Sequence, residues 1–137
     1  MALEILTRMD EVRRNVLGYS GSNVVRSGTW VARDANGNAI TPTADSLSAQ
    51  LVILGNENDR PDSLGSESVT VQYGSNRFAV GAEGYVGSFS PGDQLAVGTA
   101  ASGDVGGRLK APAAPNVGVV AIVEEFKDGR LVFRTLA

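Results

Sequence analysis

Apolar and polar positions change their period along the chain. Over the first 23 residues Leu3, Leu6, Met9, Val12, Val16 and Leu17 recur at spacings of three and four with occasional slips. That period predicts a short amphipathic helix, or an arm that orders against a partner. From Val24 onward the period falls toward two. "VVRSGTWVAR" runs into "DANGNAI", where Asn36-Gly37 predicts a two-residue hairpin, because both central positions of a type I′ turn take positive φ. "AQLVILG", bounded by Gly55, predicts a buried strand. "SVTVQYG" and "NRFAVGAEGYV" alternate on either side of "GSN" and predict a second hairpin. In "FSPGDQLAV" the fixed φ of Pro91, a positive φ at Gly92 and a capping carboxylate at Asp93 predict a tight turn. The strand after it places Leu95 and Val97 on one face. "NVGVVAIVEEF" reads as a strand apolar on both faces, and "EEFKDGRLVFR" as a hairpin turning on Asp128-Gly129.

About eight or nine short strands without helical pattern between them predict an all-β fold. The expected architecture is a small antiparallel β-barrel or sandwich over residues 24–137, with residues 1–23 as an N-terminal arm or short helix. Composition agrees: 137 residues suit one domain, and 17 glycines with only 6% aromatics describe many turns around a core of small and β-branched side chains. Trp30, the single tryptophan, is expected in that core.

Charge and residue usage narrow the chemistry. The chain has no Cys and no His, which removes disulfides, thiolate or imidazole metal sites, and the Ser-His-Asp and Cys-His nucleophile arrangements. A net charge of −3 argues against nucleic acid as the main partner. Glu4 and Arg8 interrupt what a signal peptide would need as an apolar core, and no run approaches about 18 apolar residues, so no membrane partner is expected. Asp34, Asn36, Asn38 and Asp45 imitate a calcium loop but lack its Gly and its terminal Glu. Glu57, Asp59 and Asp62 in "NENDRPD" are read as solvating a surface loop, and "GTAASGDVGG" lacks the Lys and the following helix of a phosphate cradle. Glu124 and Glu125, adjacent on a strand, are expected on opposite faces. The expectation is therefore a protein that is not an enzyme, with no catalytic, metal or cofactor residues. A carbohydrate-binding module, or a glycosidase drawing carboxylates from Glu57, Asp59, Asp62, Glu83 and Asp93, is the distant alternative.

From about Ser68 to Ala137 the order "VTV…NRFAV…GYV…SPGDQLAVG…GRLK…VGVVAIVEE…DGRLVFR" resembles the small β-barrel decoration, or cement, proteins of tailed bacteriophage heads. The resemblance implies a virion structural protein on the outer capsid surface, made in the host cytoplasm. It implies a homotrimer whose partner is the major capsid protein and whose role is to brace neighbouring shell subunits. Another virion subunit, of a tail tube or a head-completion ring, is the alternative. Contact with the partner is expected from the N-terminal segment, with Leu3, Ile5 and Leu6 as apolar anchors and Arg8, Arg13 and Arg14 as charge partners.

Overall fold

The computed structural model describes residues 3–19, 25–42, 49–55, 67–99 and 106–136. Their strands are β1 (Leu3–Ile5), β2 (Arg13–Tyr19), β3 (Trp30–Arg33), β4 (Ala39–Ile40), β5 (Gln50–Leu54), β6 (Glu67–Tyr73), β7 (Arg77–Val80), β8 (Gln94–Val97), β9 (Leu109–Lys110), β10 (Ala121–Lys127) and β11 (Arg130–Thr135). The fold is all-β, as the alternating pattern predicts.

Two bodies share the strands. A small barrel closes in the order β2-β4-β3-β5-β6, and an open six-stranded sheet runs β1-β7-β11-β10-β8-β9. Alternation along each barrel strand turns Leu17, Val31, Val52, Val69 and Val71 inward, where they pack with Tyr19, Val25 and Ala39. The opposite parity places Trp30 and Leu51 outside the barrel, directly across from each other on β3 and β5. There they meet the inner face of the sheet, where Phe78, Val80, Leu95, Leu131 and Phe133 are buried. Ring centroids lie 6.2 Å apart for Trp30 and Phe133, and 6.0 Å apart for Phe78 and Phe133. The Trp30 Nε1 is buried without an acceptor among the described residues.

Backbone contacts tie the bodies together. Gly107 donates to the Gly98 carbonyl at 2.9 Å on the sheet side and accepts from the Trp30 amide at 2.9 Å on the barrel side. Its φ of +78° and the 2.9 Å from an added Cβ to the Trp30 carbonyl oxygen make glycine the residue that fits there. At the crossing between β6 and β7, the buried Asn76 gives its side-chain amide to Gln72 (2.9 Å) and its backbone N–H to the Thr135 hydroxyl (2.9 Å). That hydroxyl in turn donates to the Gly74 carbonyl at 2.6 Å.

Residues 3–19 form neither an arm nor the expected amphipathic helix. The chain runs from β1 through a 3-10 turn at Met9–Glu11 into β2. β1 pairs antiparallel with β7 at the edge of the sheet, and β2 pairs antiparallel with β6 in the barrel. Residues 3–19 and 67–80 thus form one bent ribbon that belongs to both bodies, so residues 3–19 are part of the β fold and not an extension from it; the expected boundary at residue 23 lies outside the described residues. The spacings of three and four arose because the 3-10 turn separates two short strands. Within each strand the true period is two, as Leu17 and Tyr19 show by being buried while Val16 and Gly18 are exposed.

Three further expectations change. β6 and β7 are not a hairpin; the chain passes between bodies at Gly74, and each strand finds partners far along the sequence. The Asn36-Gly37 hairpin between β3 and β4 forms, but with three residues in its loop: the Asp34 amide donates to the Asn38 carbonyl, the Gly37 amide to the Asp34 carbonyl, and only Gly37 takes positive φ. β10 buries one face, through Ala121 and Val123, whereas Ile122 and Phe126 are half-buried. The Asp128-Gly129 turn has the expected paired positive φ values of 53° and 78°. Gly92 likewise has φ +92°, and the Asp93 carboxylate accepts from the Ser90 amide at 2.8 Å, closing the Pro91 turn as expected.

Candidate functional site

The outward face of the six-stranded sheet is built from strand alternation and one irregularity. Register sets Glu4, Ala79, Val132 and Glu125 in one row across β1, β7, β11 and β10, and Arg77, Arg134, Ile122 and Gln94 in the next row across β7, β11, β10 and β8. Ala79 and Val132 are buried in spite of facing outward. The aliphatic stems of the neighbouring arginines are suited to shelter them.

The irregularity lies in β10, where Val123 pairs with Phe133 but Glu125 pairs with Val132, which leaves Glu124 as an extra residue. A bulge of this kind sets two residues against one and re-aims a side chain. Glu124 therefore does not point away from Glu125. It reaches across β11, accepting from the Arg77 Nε at 2.5 Å and from the Arg134 Nε at 3.3 Å. The expected opposition of the two glutamates fails because the bulge breaks the alternation on which it rested.

Arg77 and Arg134 are direct cross-strand partners. Like charges in that position repel, and the single carboxylate between them offsets part of the repulsion. The hydrogen bond from Arg77 is the main reason that the Glu124 carboxyl titrates below its ordinary value, against an opposing contribution from burial. At the edge of the same face Glu4 accepts from both Nε and Nη2 of Arg130 at 2.9 Å each. This forked pair lowers the Glu4 carboxyl and raises the Arg130 guanidinium.

The residues expected to reach a partner are not brought together. Leu3 and Ile5 are half-buried against the sheet core and are taken up by folding, while Leu6 is exposed. Arg8 pairs with Asp10 at 3.2 Å, Arg13 lies 5.9 Å from the Tyr73 ring centroid, and Arg14 is exposed on β2 with an interaction of its own. Trp30 is in the core as expected. The calcium-like carboxylate Asp34 instead accepts from the Asn36 and Asn38 amides at 2.9 Å each, shaping its turn. Asp45, Glu57, Asp59 and Asp62 lie outside the described residues, and among the described residues no three carboxylates gather as metal ligands.

Two other surfaces stand out. On the barrel wall Val16, Thr70 and Leu54 are in register across β2, β6 and β5, with Val16 64% and Leu54 60% exposed. At one end of the sheet Tyr85, Phe89 and Phe126 form an edge-on aromatic triangle, with centroids 5.2 to 5.9 Å apart. Beside it the Pro91 turn and the 111–115 segment line an open groove of about 420 Å³.

Comparison of the chain with protein-family models, with curated proteins and with solved structures returns no match. No described helix is long and apolar enough to cross a membrane.

Proposed function

We propose that the protein is a bacteriophage head decoration protein, which binds the outer surface of the capsid as a trimer and bridges neighbouring major capsid protein subunits. The observation that carries this reading is the barrel wall. Two aliphatic side chains, Val16 and Leu54, stand more than half exposed on neighbouring strands, where a solvent-facing sheet surface ordinarily carries polar residues. Such a row suits contact between copies. The sequence order that resembles the decoration proteins runs through β6 to β11, and five of these strands, β7 to β11, lie side by side in one sheet. Several modest contacts made at once by a trimer gain through effective concentration what each lacks alone.

The test is native mass measurement of the purified protein, followed by co-sedimentation with expanded and unexpanded tailed-phage heads. A trimer that pellets with shells, and that Val16→Asp with Leu54→Asp converts to a folded monomer, supports the reading. A wild-type monomer that stays in the supernatant with both kinds of shell overturns it. A particle that loses its geometry when the subunit is withheld would identify a connector or tail component instead.

A further inference from the structure

We propose that the outward face of the six-stranded sheet, centred on Arg77 and Arg134, is a docking surface for an acidic protein segment. The inference goes beyond the decoration reading and stands without it.

Strand register places four cations on this face, Arg77, Lys127, Arg130 and Arg134, against the three carboxylates of Glu4, Glu124 and Glu125. A chain with a net charge of −3 thus carries a cationic surplus on one flat side. The surplus is concentrated at the centre. Glu4 and Arg130 satisfy each other through a two-pronged contact, but Arg77 and Arg134 share one carboxylate and each gives it only Nε. Both arginine side chains remain 43% and 45% exposed, so their terminal nitrogens can be approached from outside.

A second carboxylate arriving from outside completes an alternation of two guanidiniums and two acids, and relieves the repulsion built into the register. The planar fork of arginine matches carboxylate geometry, and arginine is enriched where interfaces concentrate their binding energy. Half-buried Ile122 sits directly across from Arg134, and the arginine stems that cover Ala79 and Val132 complete the small apolar surround against which such a contact is desolvated. Charge favours a protein segment over nucleic acid: a polyphosphate meets the negative whole of the molecule at long range, whereas a few carboxylates need only the local surplus.

The test is a titration of isotope-labelled protein with a short oligoglutamate peptide and, separately, with a DNA duplex, read from the arginine Nε–H signals and the β7 and β11 amides. The peptide is expected to shift the Arg77 and Arg134 signals saturably, with an affinity that falls as salt rises. In Arg77→Gln with Arg134→Gln the affinity falls about tenfold or more, and Arg77→Lys with Arg134→Lys, which keeps charge but not the fork, recovers part of it. Because the wild-type titration needs no altered protein, loss of folding in a variant leaves the result readable. Shifts that never saturate, shifts centred on another face, or tighter binding of the duplex at these same arginines would overturn the proposal.

Discussion

The barrel and the six-stranded sheet bury one face of their strands with different side chains and different pairings. The barrel core is aliphatic apart from Tyr19, and its ring of strands is completed by a single parallel rung between Tyr19 and Ala39. The sheet carries Phe78 and Phe133 with Trp30 leaning in from the barrel, and every named pair of neighbours in it is antiparallel. The barrel therefore depends on closure, and so on strands far apart in sequence. The sheet depends on rings packed at the junction.

Removing residues 1–19 takes one strand from each body and has the largest expected effect. Neither body is expected to survive, and loss of both near-ultraviolet dichroism and a cooperative thermal transition checks it; a truncated protein with a normal melt would show that the ribbon is dispensable. Next in size is Trp30→Ala, which empties the junction and should cost about 3–5 kcal/mol in denaturant unfolding. Trp30→Phe should cost less than its lost volume suggests, because it also deletes a buried N–H that has no acceptor among the described residues. Equal losses for the two variants would refute that account of the indole nitrogen.

At the crossing, Asn76→Ala leaves the buried Gln72 side chain without its donor and should cost about 1–3 kcal/mol. Amide exchange in β6, β7 and β11 is expected to rise together, since all three meet there. The smallest effect belongs to the charged face. Glu124 titrates below the ordinary 4.5 when folded, so its contribution is complete above that pH and is lost as pH falls through the lower folded value. Being partly exposed it is worth at most about 1 kcal/mol. Glu124→Gln should therefore lose that full small amount at neutral pH and nothing at low pH, which flattens the acid limb of the stability profile. An unaltered acid limb would mean that the bridge between Arg77 and Arg134 contributes nothing.

What could be read in the sequence was local. Asp128-Gly129 and Ser90-Pro91-Gly92-Asp93 specify their own turns, since the residues that need special φ or capping sit within four positions of each other. The all-β class and the burial of Trp30 followed from periodicity and residue type. The pairing of Arg13–Tyr19 with Glu67–Tyr73 was not legible, because nothing local records which distant strand completes a barrel. The charged face was half legible: alternation in "RLVFRT" already puts Arg130, Val132 and Arg134 together. The insertion of Glu124 was invisible, because a bulge is a property of two strands in register and one strand alone reads as regular.

The two-stranded ribbon that joins the bodies has a mechanical consequence. Tension applied at Leu3 along the direction of β1 loads its three rungs to Val80–Phe78 as a group, and reaches the β2 rungs to Tyr73–Glu67 only once β1 has parted. The molecule should therefore yield to a steady pull in two abrupt events, the sheet edge first and the barrel second.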